Sequence, residues 1–405
     1  MYDLVIIGAG AAGIEAAKYS IKKKLKAALI DKNIESFGGV CLNKGCIPTK
    51  FFLNFGKEKK DLNLLSSLLK DVIKKIKEPT IDYLKKNNVD IIFGEASFLD
   101  KNKIKVKDNI IEARNIIIAT GSIPKKINEK YIFSEELFSN LNLKENILIV
   151  GAGYIGLEFA SLLNTFGKKV LVIEKENEIL PKINSKLKNR LKIILERKGI
   201  EIKTSMSFEN LDLSKFDSVI FSTGRLPNLN GLNLESIGIE LDSGWIKTDK
   251  YLKTNIDNIF ACGDVVNKKF FAYVAQYQAR ICVENIISKK TKEDYSFVPE
   301  CVFSIPAFAT VGFTEETAKE NNIKYNIIKS NFLRFSSSYV YNDLDGFIEI
   351  LTDSKDKIIG AQIISKYAFE LINIFSIAIK NSLKLKDLNK SFLVHPTISE
   401  IVNLD

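Results

Sequence analysis

The sequence predicts an α/β protein built around two doubly wound dinucleotide-binding domains, and three observations carry that expectation. A glycine loop, Gly8-Ala-Gly10-Ala-Ala-Gly13, follows an apolar run at the start of the chain. A second loop of the same form, Gly151-Ala-Gly153-Tyr-Ile-Gly156, follows another apolar run in mid-chain. Each is trailed by an acid, Asp31 and Glu174, which lies 23 residues beyond the first glycine of its loop.

In the first copy a strand is expected at Leu4 to Ile7, a helix from Ile14, and a second strand at Ala27 to Ile30 that ends on Asp31. The first glycine permits the tight turn, the second lets the backbone approach a pyrophosphate, and the third lets helix and strand pack closely. The helix N-terminus adds free N–H groups and positive dipole, and the acid accepts hydrogen bonds from ribose hydroxyls. A GxGxxG alone is weak evidence; between a strand and a helix, with the acid in place, it specifies a nucleotide site.

Next comes Gly38-Gly-Val-Cys41-Leu-Asn-Lys-Gly-Cys46-Ile-Pro48-Thr-Lys50, then a helical pattern with Leu64, Leu65, Leu68, Leu69, Ile73 and Ile76 on its apolar face. Two cysteines at this spacing can close a short disulfide if the segment begins a helix, and a helix N-terminus raises the thiolate fraction of a cysteine. Cys262, Cys282 and Cys301 sit among apolar residues at no motif spacing and are expected to serve packing.

The second copy repeats the elements: strand Ile147 to Val150, loop, a helix through Leu163, and strand Val170 to Ile173 ending at Glu174. A carboxylate there repels a 2′-phosphate and favours NAD over NADP. Each copy closes with a strand and turn, Asn115 to Ala119 into Thr120-Gly121 and Ser218 to Ser222 into Thr223-Gly224. The interval from first glycine to this turn is longer in the first copy, so the cysteine segment and its helix are an insertion.

Composition removes other classes. At 405 residues, 46% hydrophobic and 27% charged, the chain is neither a disordered segment nor a small disulfide scaffold. A single histidine excludes a multi-histidine metal site, and no metal centre is expected. The net charge of +10 comes from scattered lysines, not an aromatic-laced basic stripe, so no nucleic-acid partner is expected. The start, MYDLVII, enters a strand with no room for a secretory signal, which predicts a cytoplasmic protein. Runs such as Leu371 to Ile379 fall short of the roughly 20 apolar residues of a membrane span, so no membrane partner is expected.

Taken in order, GAGAAG, GGVCLNKGCIPTK, ATGSIP, GAGYIGLE, STGRLPN, ACGDV and HPTISE resemble the flavin-dependent pyridine nucleotide-disulfide oxidoreductases of class I. The resemblance runs from Tyr2 to Val402 and lies nearest the dihydrolipoamide dehydrogenase branch. It implies FAD in the first site, NAD in the second, and a homodimer whose active site is shared between subunits. The NAD domain, about 144–252, would be inserted in an FAD domain formed by about 1–143 and 253–293, with an α+β dimerisation domain over 294–405.

The same resemblance assigns roles. Cys41 and Cys46 would be the redox disulfide, with Cys41 exchanging with substrate and Cys46 facing the flavin. Lys50 would lie near flavin N5, paired with Glu158; Tyr154 would lie over the flavin on the nicotinamide side; Asp264 would bond the ribityl chain. His395 would be the acid–base, oriented by Glu400, and would reach the partner subunit's disulfide.

Implied function is oxidation of dihydrolipoamide with NAD as acceptor, alone or on a lipoyl-bearing protein of a 2-oxo-acid dehydrogenase or glycine cleavage complex. The alternatives are an NADH-dependent reductase of another disulfide, a metal ion or a quinone, and, from a different class, a non-catalytic flavoprotein scaffold. The chain departs from the dihydrolipoamide branch at Leu393, where a second histidine is usual, and at Phe271-Ala-Tyr273, where Leu-Ala-His is usual. Ile200 to Thr223 also leaves little room for the usual β-meander.

Overall fold

Leu4 to Ile7 are buried without interruption, which marks Tyr2–Ile7 as a strand covered on both faces, as parallel sheets require. The computed structural model describes residues 1–56, 61–126, 131–139 and 143–403. Tyr2–Ile7 lies between Ala27–Asp31 and Asn109–Ile118, all parallel, with Asp90–Phe93 beyond Ala27–Asp31. Lys103–Val106 and Ala96–Phe98 extend the sheet as an antiparallel arm. Ile259–Ala261 returns late in the chain to pair with Asn109–Ile118, which closes this discontinuous domain.

A second sheet is formed by the intervening chain. Its five parallel strands run in the order Ile200–Lys203, Lys169–Ile173, Asn146–Val150, Ser218–Phe221 and Ile132–Phe133. The two doubly wound units, one inserted in the other, are therefore present as expected.

The expected limits of the inserted unit, 144–252, move at both ends. Ile132–Phe133 already pairs in the second sheet. Arg225–Pro227 pairs antiparallel with Ser122–Pro124, and Leu232, Leu234, Ile239 and Ile246 pack in the core of the first domain. The boundary lies at this two-stranded crossing, where the chain leaves one sheet for the other. Motif spacing marks the glycine loops and not the crossing.

Between Lys203 and Ser218 there are only two short 3₁₀ turns, Phe208–Asn210 and Leu213–Lys215, so the meander is absent. Phe208 packs edge-on against Phe221 at 5.0 Å, and Leu211, Leu213 and Phe216 join it over that sheet face. A short apolar link thus does the covering that longer strands would do.

The C-terminal unit is an antiparallel sheet, Glu300–Val302, Ala307–Gly312, Ile358–Ser365, Phe347–Thr352 and Asn326–Asn331, with helix Ala368–Lys380 on its inner face. In the insertion, Asp61 caps helix Leu62–Lys86 by accepting from the amides of Asn63 and Leu64, a contact worth about 1 kcal/mol. That helix buries Leu65 and Leu69 but leaves Leu64 and Ile76 exposed, so its apolar face is narrower than the pattern predicts. Among the described residues no helix is long and apolar enough to cross a membrane.

Candidate functional site

Both glycine loops lead from a strand into a helix. The first helix is Ala11–Lys22, starting three residues before the expected Ile14, and the second is Tyr154–Thr165. Gly8 and Gly151 turn at φ of +102° and +104°. A Cβ on Gly13 would stand 1.7 Å from the Gly8 carbonyl oxygen, and one on Gly156 1.9 Å from that of Gly151. Only glycine allows helix and strand to approach this closely.

The acids clasp their own loops. Asp31 Oδ2 accepts from the Ala9 amide at 2.7 Å, and Glu174 Oε2 from the Ala152 amide at 2.8 Å. Ser36 Oγ and the Lys32 amide fill Asp31 Oδ1, while the Glu176 amide reaches Glu174 Oε1. The equal spacing of 23 residues is therefore a mechanical fact, since it brings each acid back to its loop.

The cysteine segment rests on the first loop. Gly38 N donates to Ala9 O at 2.8 Å, and a Cβ on Gly39 would stand 2.7 Å from Gly10 Cα. Cys41 lies in the short helix Gly39–Asn43, and Cys46 is the first residue of helix Cys46–Phe55. Both are free thiols here. Cys41 hydrogen-bonds Cys46 and pulls the Cys46 thiol down to about 7; burial opposes this and the Lys50 ammonium assists it. The Cys41 thiol, donor in that bond and half-buried, is pushed up.

One turn on, Lys50 Nζ lies 2.8 Å from Glu158 Oε2. Burial opposes the ammonium, but Glu158, together with the Cys46 and Cys301 sulfurs, holds the Lys50 pKa above its ordinary value. Phe303, which the sequence did not single out, supports both partners: its ring lies 4.1 Å from Lys50 Nζ, and its amide donates to Glu158 Oε1 at 3.1 Å.

Tyr154 donates its hydroxyl to Glu300, which also holds Lys269. The Tyr154 ring meets Phe271 edge-on at 5.5 Å, and Tyr273 stacks on Phe271 at 5.2 Å. Glu300 and Lys269 lie outside every motif and carried no sequence signal. Asp264 accepts from Ser122 Oγ at 2.7 Å. Burial pushes its carboxyl up, against Ser122 and the Arg225 guanidinium.

His395 Nδ1 stands 2.7 Å from Glu400 Oε1, and the Thr397 amide fills Glu400 Oε2 at 3.0 Å. The imidazole holds the Glu400 carboxyl below its ordinary range. His395 is 68% exposed, and its hydrogen-bond partner is Glu400 and neither of the two motif cysteines. Phe392 and Val394 beside it are also exposed.

The residues fit two dinucleotides. Thr120 Oγ1, at the first loop, is buried with no hydrogen-bond partner among the described residues. A Cβ on Gly121, Gly153 or Gly224 would meet nothing within 4 Å, so backbone is open to a ligand at both loops. Such orphaned polar atoms and bare backbone are what a phosphate- and hydroxyl-bearing ligand satisfies.

Residues 2–279 match the pyridine nucleotide-disulphide oxidoreductase family, and residues 298–405 match its dimerisation domain. A dihydrolipoyl dehydrogenase of Bacillus subtilis is 33% identical, over 98% of this chain and 94% of its own length. One of Chlamydia trachomatis is 31% identical over 99% and 95%. Among solved structures, the Cu(II) complex of the HOCl-induced flavoprotein disulfide reductase RclA from Escherichia coli superposes with a TM-score of 0.92. It is 28% identical and covers 99% of this chain and 98% of that one.

Proposed function

Because the chain belongs to the pyridine nucleotide-disulphide oxidoreductases, we propose that it is a cytoplasmic, homodimeric dihydrolipoamide dehydrogenase with FAD in the first cradle and NAD in the second. The observation that carries the thiol chemistry is Cys46 at a helix start, hydrogen-bonded by Cys41 and held near 7 beside Lys50. The substrate assignment is supported by the curated relatives, which are named dihydrolipoyl dehydrogenases.

In the oxidised enzyme Cys41 and Cys46 form the disulfide. A substrate thiolate attacks Cys41 Sγ, the Cys41–Cys46 bond breaks, and Cys46 leaves as the thiolate that Lys50 stabilises. The second substrate thiol then attacks the sulfur bound to Cys41, which releases the cyclic disulfide product and the Cys41 thiolate. His395 of the partner subunit takes the substrate's thiol proton. Its Nδ1 is committed to Glu400, so Nε2 is the free base, and the carboxylate stabilises the imidazolium that forms. Bound FAD supplies the two-electron relay between the thiols and NAD. Lys50, Glu158 and Tyr154 would hold its flavin end, Asp264 its polyol chain, and Glu174 would favour a free ribose 2′-hydroxyl on the second nucleotide.

Cys41, Cys46, His395 and Glu400 are all present, which a scaffold subunit would not need. The second reading is a reductase of another disulfide or a metal ion. It is favoured by the Phe271–Tyr273 stack where the dihydrolipoamide branch carries histidine, and by the structural relative captured with Cu(II). Steady-state turnover decides: dihydrolipoamide with NAD should far exceed NADH-driven reduction of glutathione disulfide or Cu(II). The reverse order supports the second reading and overturns the first. The same assay with a lipoyl-bearing protein of a 2-oxo-acid dehydrogenase or glycine cleavage complex identifies the physiological partner.

A further inference from the structure

The two segments that cross between the nucleotide domains carry a charged cluster to which no role has been given. Arg225, at the start of one crossing strand, is mostly buried and lies between Ser122 on the other and Glu135 at the edge of the inserted domain. Its Nε donates to Ser122 Oγ at 2.6 Å, and its Nη2 donates to both Ser122 O and Glu135 Oε1 at 2.6 Å. Ser122 is itself buried and bonds Asp264 Oδ2 at 2.7 Å.

A guanidinium has no acceptor, so Ser122 Oγ must accept from Arg225. Its one proton is then committed to Asp264, and Asp264 must accept. Among the described residues no hydrogen bond within the chain engages Asp264 Oδ1. In the ionised form, which the Arg225 guanidinium favours, the group that meets that oxygen has to be a donor, which is what a chain of hydroxyls offers and a phosphate does not.

We infer that Arg225 is a positioning residue for Asp264, acting through the Ser122 hydroxyl to fix the carboxylate as an acceptor for the polyol chain of the flavin dinucleotide. The inference rests on the reading of the first cradle as the FAD site. Glu135 anchors the guanidinium, so the relay also ties the acid to the crossing between domains. Without Arg225 the serine proton is free to rotate, and Asp264 loses the positive charge that favours its ionised form.

The test uses the purified full-length holoprotein and the fluorescence of released flavin. Arg225→Met and Ser122→Ala should each raise the FAD dissociation constant roughly tenfold, the scale of one charge-assisted hydrogen bond. The double variant should be no worse than either single one, because they break the same relay. In Arg225→Met, FAD release on acidification should set in at higher pH than in the parent protein, since the Asp264 carboxyl then protonates more readily. Glu135→Gln, which spares the Nε to Ser122 bond, should lower thermal stability with FAD affinity nearly kept. Unchanged FAD affinity in Arg225→Met, additive single effects, or an unshifted pH profile each overturn the relay. A parent protein purified without flavin and unable to bind it overturns the FAD reading itself, and the relay with it.

Discussion

Lys50 and Glu158, 108 positions apart, meet as an ion pair at 2.8 Å, and the pair joins the redox segment to the helix of the second glycine loop. It is partly buried and braced by Phe303, which follows the C-terminal strand Glu300–Val302, so three parts of the chain converge on one charge. That charge stands near Cys46 and helps lower its thiol pKa.

Replacing Lys50 with Met removes the cation and strands Glu158. The midpoint of Cys46 alkylation by iodoacetamide, followed against pH in the reduced protein, is expected near 7 in the parent. It should move up in Lys50→Met, by about one unit or more, because loss of a neighbouring cation disfavours the thiolate. An unmoved midpoint would show that the Cys41 hydrogen bond alone sets it.

His395→Gln keeps a polar side chain of similar reach but removes the base. Dithiol turnover should fall by roughly 10²–10⁴ while FAD stays bound. Cys46→Ser should also abolish thiol turnover with FAD retained. Mixing the two inactive variants under subunit exchange should restore activity, because one hybrid site then has both an intact disulfide and a partner histidine. No recovery would place the whole site within one chain.

Glu174→Ala tests nucleotide choice. The parent should prefer NAD; the variant should lose about tenfold in KM for NAD and gain on NADP, since a 2′-phosphate no longer faces a carboxylate. Steady-state KM values for both nucleotides measure it.

Two glycines at different positions of the two loops separate packing from ligand access. Gly13→Ala would put a methyl 1.7 Å from a backbone oxygen, so a loss of about 3 kcal/mol or more is expected, read as a large drop in Tm or insolubility. Gly153→Ala meets nothing within 4 Å. It should keep its Tm and instead weaken NAD binding, visible as a raised KM.

Much of the molecule was readable from local pattern. Alternating glycines at fixed spacing, buried apolar runs and a returning acid specify a strand, turn and helix through short-range sterics, and both copies stand where those signals put them. The cysteine pair stood out by its spacing, and the His395–Glu400 contact was implied by the family resemblance; the structure holds it at 2.7 Å. Domain limits were not, because they depend on Ser122–Pro124 pairing with Arg225–Pro227. No local pattern marks which strand a three-residue segment will find.

The sequence by itself determined the two glycine-loop cradles, which are short-range stereochemistry, and through the resemblance it pointed to the cysteine segment and the His395–Glu400 motif as the candidate redox and acid–base groups. Only the tertiary structure decided what surrounds them: Phe303 against Lys50, Glu300 on Tyr154 with Lys269 behind it, and Arg225 behind Asp264 through Ser122. Those partners come from distant segments brought together by burial, and the strength of a charge or hydrogen bond depends on its surroundings in space rather than its neighbours in sequence.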